Sequence, residues 1–278
     1  MRLAVEVGSV ADGTLKGALQ YCRDLELDRV VIPFASLGEY RETGALDHDA
    51  AHAAMAQIED AGMSASGMVY WAPPAMVTCE PEGESEFAKL VESLDVMTSV
   101  GADVLAMLAT AAPPLDVAAE EGVWQQVLCF YRRLMAEAES RRIKVALHTV
   151  AMPSRNLLWN YAAVKRLFAE APSPSNGVTF CVGNFWNSDG ARMYDIVREL
   201  GDRLFYVHTR STKEFLGETP FWFDAGGPDF RLFFDALRDI HYQGDVRSEH
   251  MPEVAGENRT DIGTAWSIGY TKALLKHT

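Results

Sequence analysis

The sequence predicts one (β/α)8 barrel, a single TIM-barrel domain over residues 1–278. Three observations predict it. Apolar, β-rich runs alternate with amphipathic stretches along the whole chain, and strand–helix alternation makes a parallel sheet. Eight such units in roughly 250 residues is the size of this barrel. The longer connections, 71–83, 110–120, 150–157 and 211–228, follow strands, which places them on the C-terminal face, where they would build a pocket. A doubly wound sheet is the rival architecture, but Gly8-Ser9-Val10-Ala11-Asp12-Gly13 is a poor match to its glycine-rich phosphate turn.

The chain opens on Arg2-Leu3-Ala4-Val5-Glu6, read as part of a strand over 2–7, with a helix over 11–26. A strand over 29–34 leads to a helix over 47–61, which Gly62 ends as a left-handed cap. The third pair is a strand over 64–70 and a helix over 84–100. There Phe87, Leu90, Val91, Leu94 and Met97 recur on one face of a 3.6-residue period, and Gly101 follows as the stop. Next come a strand over 103–109 and a helix over 121–141. The next three strands, 143–149, 178–182 and 204–210, are short and apolar, with helices over 158–170, 189–200 and 229–241. In the last of these helices Leu232, Phe233, Leu237 and Ile240 share a face. A more polar run, 245–249, and a helix over 262–276 complete the set.

The composition bounds the function. With 25 Lys and Arg against 39 Asp and Glu, the net charge is −14. That argues against nucleic acid or an anionic membrane surface as a partner, since both need a basic face. A local arginine cluster can still receive a small anion. No stretch approaches the ~18 apolar residues of a membrane span. The four cysteines, Cys22, Cys79, Cys129 and Cys181, are widely spaced, which suggests reduced thiols and a cytoplasmic setting. No Gly-x-Ser-x-Gly elbow and no Walker loop is present.

Four residues of metal-ligand type stand at the ends of four successive strands: His148, Cys181, His208 and Glu249. In a parallel barrel these ends meet on one face, so the four would converge. Two imidazoles, a thiolate and a carboxylate suit a divalent transition metal, with Zn2+, Fe2+ and Co2+ all acceptable to such a set. Arg210 and Arg247 sit beside the proposed site and could hold a carboxylate through paired N–H groups, or form strand-end salt bridges. Tyr70 and Trp71 end the third strand and are candidates to line the pocket, with packing as the alternative. Asn184, on the exit loop of the sixth strand, is a candidate substrate contact, with an ordinary loop hydrogen bond as the alternative. His48 and His52, four apart on a helix, are read as solvent-facing. Asp224-Ala225-Gly226-Gly227-Pro228-Asp229 reads as a turn into a helix N-terminus.

Five segments fall in the same order as motifs of the mannonate dehydratases: Ala146-Leu147-His148-Thr149, Asn176 through Gly183, Tyr206 through Arg210, Arg247-Ser248-Glu249-His250, and the tail Ile262 through Tyr270. The chain resembles that family well over roughly residues 143–276 and loosely before. The resemblance implies a xylose-isomerase-like barrel that removes water from a sugar acid to give a 2-keto-3-deoxy acid, usually with Mn2+. It implies His148, Cys181 and His208 as ligands, Glu249 in place of the family's aspartate, and His250 as the adjacent catalytic histidine. Arg259 stands where the family has its catalytic tyrosine, and Thr264 where it has an arginine.

β-Elimination of water needs a base for the proton beside the carboxylate and an acid for the departing hydroxyl. His250, Arg210 and Arg259 are the candidate catalytic residues. His250 is the candidate proton carrier, since histidine titrates near neutral pH. Arg259 is too basic to be a proton donor and acts only as a charge. A metal-dependent sugar isomerase or epimerase of the same barrel type is the alternative, and a non-catalytic sugar-acid binding barrel a further one. The expected partner is a small sugar acid or sugar. Barrels of this type often associate, which leaves a homo-oligomer open.

Overall fold

The protein is described here from a computed structural model over residues 1–214, 217–218, 227–251 and 260–276. The elements run β1 (Arg2–Glu6), α1 (Leu15–Asp24), β2 (Arg29–Pro33), α2 (Tyr40–Thr43), α3 (His48–Asp60), β3 (Ser64–Ala72), α4 (Pro74–Val77) and α5 (Glu84–Ser99). They continue with β4 (Val104–Ala109), α6 (Glu120–Arg141), β5 (Lys144–His148), α7 (Tyr161–Glu170), β6 (Asn176–Cys181), α8 (Val182–Asp189), α9 (Met193–Leu200) and β7 (Leu204–Thr209). A small antiparallel pair, β8 (Thr212–Glu214) and β9 (Gly217–Glu218), precedes α10 (Phe230–Asp239), β10 (Asp245–Ser248) and α11 (Thr260–Lys276). The parallel strands close into a barrel in the order β1-β10-β7-β6-β5-β4-β3-β2. The fold is therefore the TIM barrel that the alternation predicts.

Helix starts follow local chemistry. Thr14, Asp47, Asn160 and Asp229 each accept a hydrogen bond from a backbone N–H in the first turn of α1, α3, α7 and α10. Such caps satisfy donors that the helix itself leaves orphaned. Gly62 and Gly101 both follow their helices with φ +73°, as the predicted stops require. The stretch between β6 and β7 departs from expectation. The helix expected over 189–200 is α9, and a further helix, α8, occupies the expected exit loop of β6, so Asn184 lies on a helix rather than a loop.

Strand alternation sorts the barrel's apolar side chains into two clusters. Residues such as Val5, Ile32, Met68, Leu105, Leu147, Phe180 and Val246 point outward and pack under the helices. Ala4, Val31, Val69, Ala106, Ala146 and Tyr206 point inward and fill the barrel. Tyr206 is the one large group there, and its hydroxyl lies 3.0 Å from Ser66 Oγ. At the N-terminal end Asp245 of β10 accepts from Arg2 Nε of β1 at 2.9 Å and from Arg29 Nη2 of β2 at 2.8 Å.

Two residues further along each strand, the same inward parity reaches the barrel mouth. It carries Ala4 to Glu6, Val69 to Trp71, Ala106 to Leu108, Ala146 to His148 and Tyr206 to His208. The candidate site residues are thus the next layer above the apolar interior. Among the described residues no helix is long and apolar enough to cross a membrane.

Candidate active site

β5, β6, β7 and β10 are neighbours in the barrel, and their ends bring the four predicted donors together. Glu249 sits at the centre. Its Oε1 is 3.1 Å from His208 Nδ1 and 3.5 Å from His148 Nε2, and its Oε2 accepts from the Cys181 thiol at 3.3 Å. The two imidazole rings are 5.1 Å apart. Donor atoms of His148, Cys181 and Glu249 all lie within 4.8 Å of one another. The polar fourth run, 245–248, does form a strand, and it carries Glu249 to this point.

The electrostatics are those of a buried, mutually balancing cluster. Burial favours a neutral Glu249 carboxyl, but His208 and His148 outweigh it and hold the group well below the usual carboxylate range. Burial likewise opposes a charge on His148, yet Glu249 and Cys181 prevail and push its imidazole up to about 10. His208 goes the other way, to about 4. Burial outweighs its attraction to Glu249, and the charges of Arg247 and His148 disfavour a further proton. The cluster therefore holds one carboxylate and one imidazolium, with His208 neutral.

These residues also fit a cation. His148 Nε2 and His208 Nδ1 face the Glu249 carboxylate, while His148 Nδ1 is buried without a hydrogen-bond partner among the described residues. Buried polar atoms nearly always have one. Nitrogen, sulfur and carboxylate donors gathered this closely are a donor set for a divalent metal.

A cavity of about 470 Å3 opens beside the cluster, lined by most of the predicted residues. Arg210 and Arg247 are both buried in its wall. Arg247 Nη1 makes an ion pair of 2.7 Å with Glu6 Oε2 and lies 3.4 Å from His208 Nε2. Gly183 leaves room for Arg210, because a Cβ there would come within 3.1 Å of Arg210 Cγ. Asn184 lines the cavity and donates from Nδ2 to the Thr149 carbonyl at 2.8 Å. His250 stands at the rim, exposed, with Nε2 3.8 Å from Glu249 Oε1. Its φ of 48° is in the left-handed region, uncommon for a non-glycine residue and a frequent mark of functional positions. Trp71 faces the cavity, half exposed.

Tyr70 does not line this cavity. The parity that turns Val69 and Trp71 inward turns Tyr70 outward, where it is buried 5.4 Å from the Phe34 ring with its hydroxyl toward Met76 Sδ. Two consecutive strand residues cannot both face the mouth. Tyr70→Phe is expected to leave kcat and KM unchanged within about twofold, as fits a side chain with no substrate contact; steady-state kinetics would check this. Arg259 and residues 224–226 lie outside the described residues. Asp229 is the cap of α10, as its turn chemistry predicts.

Among the charged and imidazole residues of the cavity, Glu6 escaped the sequence reading. Glu6 lines the cavity and partners Arg247. Its signal was available, since it is the inward residue at the C-terminal end of the first strand, the same criterion that picked out His148.

Comparison with known proteins adds an independent line. A family model described as "D-mannonate dehydratase (UxuA)" matches residues 80–275. A mannonate dehydratase of Enterococcus faecalis is 30% identical over 141 residues, covering 47% of this chain and 39% of that protein. The chain spans less than half the length of the curated relatives it matches. Among solved structures, a mannonate dehydratase from Streptococcus suis serotype 2 superposes with a TM-score of 0.79 at 16% identity, covering 99% of this chain and 93% of that one. A D-psicose 3-epimerase from Clostridium cellulolyticum H10 gives 0.77 at 13% identity, covering 99% of both. At these identities the structural likeness speaks for the barrel alone.

Proposed function

Because the chain belongs to the D-mannonate dehydratase family, we propose that it is a metal-dependent hydro-lyase acting on a small sugar acid to leave a 2-keto-3-deoxy acid. The observation that carries the proposal is the buried donor cluster in which His148, His208 and Cys181 all turn to Glu249, with His148 Nδ1 left without a partner among the described residues. His148, Cys181, His208 and Glu249 would hold the cation. By resemblance it is Mn2+, and the same donors accept Zn2+, Fe2+ or Co2+. When bound, it supplies Lewis-acid polarisation of substrate oxygen.

The chain's own residues supply the rest. Arg210 holds the substrate carboxylate from the cavity wall. Arg247, committed to Glu6, positions His208 through the 3.4 Å contact. His250, at the rim, takes the proton from the carbon beside the carboxylate. The hydroxyl on the next carbon leaves as water with the proton that His250 has taken, and the resulting enol tautomerises to the 2-keto acid. The free thiols, Cys22, Cys79, Cys129 and Cys181, fit a reducing compartment, and we place the activity in the cytoplasm.

The test is an assay of the metal-loaded protein across a panel of aldonic acids. Formation of a 2-keto-3-deoxy acid is the expected result. Interconversion of ketoses or aldoses, with no acid consumed, would replace the lyase with an isomerase.

Metal uptake itself has a predicted signature. His148 carries a proton at pH 7, since Glu249 and Cys181 overcome burial to raise its pKa to about 10. The thiol of Cys181 donates to Glu249 and must also lose its proton to coordinate. Binding near pH 7 is thus expected to release at least one proton per cation, the one on His148, with affinity rising as pH rises. Calorimetry in buffers of different ionisation enthalpy measures that number, and a value near zero would remove His148 and Cys181 from the ligand set.

A further inference from the structure

Seven of the barrel's eight strands, β2 aside, give its mouth two arcs of unlike chemistry. In sheet order, β1, β10, β7, β6 and β5 contribute Glu6, Arg247 and Glu249, His208, Cys181 and His148. The neighbouring strands β4 and β3 contribute Ala106, Leu108, Val69 and Trp71 to the cavity, and Val150, just after β5, joins them. Among the described residues this second arc offers a ligand one side-chain hydrogen-bonding group, the Trp71 indole N–H. A fully hydroxylated hexonic acid, with its carboxylate and reacting carbons held on the charged arc, would turn its remaining hydroxyls toward this wall. Hydroxyls desolvated without a partner weaken binding. Methyl and methylene groups in the same place are favoured, because they remove apolar surface from water.

We infer that the acid this site takes is apolar at the end remote from its carboxylate: a terminally deoxygenated sugar acid or an alkyl-bearing 2,3-dihydroxy acid. The inference rests on the dehydratase reading for the carboxylate end, and the two can fail separately. The cavity of about 470 Å3 is within the range of small-molecule sites and does not restrict the tail to a single methyl group. A hydrophobic wall rejects an added hydroxyl only moderately, by about a hundredfold at most. Each hydroxyl removed from the tail is therefore expected to improve affinity, up to that ceiling.

The experiment compares three acids matched in configuration at C2 and C3: a hexonic acid, its 6-deoxy counterpart and 2,3-dihydroxyhexanoic acid. Binding is measured by calorimetry on the Mn2+-loaded protein and on the chelator-treated protein, and turnover is measured alongside. The expected result is tighter binding down that series, by about tenfold to a hundredfold from first to last. Leu108→Asn should shrink the preference at least fivefold by offering the polyol an amide. Trp71→Ala, at a half-exposed position that does not threaten folding, should weaken the alkyl acid more than the hexonic acid. Equal or tighter binding of the hexonic acid overturns the inference and leaves the dehydratase reading intact. Variants that change all three acids alike also overturn it. Preferential binding of the alkyl acid with no dehydration of any of the three sinks the dehydratase reading while the inference stands. Failure of all three to bind would end both.

Discussion

Replacing Glu249 with alanine is expected to strip the cation from the protein and lower turnover by about 10³-fold. Glu249 is the hub to which His148, His208 and Cys181 all turn, at 3.5, 3.1 and 3.3 Å. Removing it takes away the one carboxylate of the set and leaves His148 carrying a buried charge without its counter-ion. A Lewis acid contributes several kcal/mol of transition-state stabilisation, and at about 1.4 kcal/mol per decade that is roughly three orders of magnitude. Elemental analysis after chelation and reloading reads the metal, steady-state kinetics the rate, and circular dichroism confirms the barrel. Glu249→Asp keeps the charge on a shorter arm and is expected to retain metal. Metal content and turnover unchanged in the alanine variant would dissolve the proposed centre.

The second large effect is on stability. Arg247→Met leaves the Glu6 carboxyl in the cavity wall without the guanidinium that lies 2.7 Å away. Removing one partner of a buried ion pair costs about 3–5 kcal/mol. In the native protein burial already raises the Glu6 pKa, with Arg247 opposing and Glu249 assisting; without the arginine it rises further. A carboxyl whose folded pKa lies above its unfolded value favours the folded state below the unfolded pKa. That contribution is lost as pH rises through the folded pKa. The variant's deficit should therefore be small in mild acid and largest at neutral pH. Urea unfolding at several pH values measures it. The double variant Glu6→Gln/Arg247→Met removes both charges and is expected to recover most of the loss. A single variant as stable as the native protein at neutral pH would show that Glu6 has another counter-charge.

Much of this was legible in residue order. The barrel strands were found within one or two residues, because the buried runs are short and apolar with glycine stops and polar caps between them. The four donors could be read together because parallel topology turns equivalent positions into neighbours. What could not be read were features set by parity and by paired burial. Tyr70 and Trp71 look equivalent in sequence, and only the inward register of Val69 separates them. Glu6 and Arg247 are 241 positions apart, and nothing local announces their pairing. The short α8 escaped because its eight residues begin directly at the end of β6, where a loop is the usual expectation.

The carboxylate of Asp245, gripped by Arg2 and Arg29, has a consequence for how the molecule acquires its chemistry. It ties together the strands that are most distant in sequence, 243 and 216 residues apart. Contacts of such long range carry the heaviest loop-closure entropy and are slow to form. Glu249 lies four residues downstream on the same backbone, past the end of β10. Its placement among donors from β5, β6 and β7 depends on β10 docking, and the seam with β1 and β2 completes that docking. An intermediate with an open seam would keep much of its secondary structure and still lack the assembled cluster. Recovery of metal affinity during refolding would then lag behind recovery of helix signal, making the cation a reporter of ring closure.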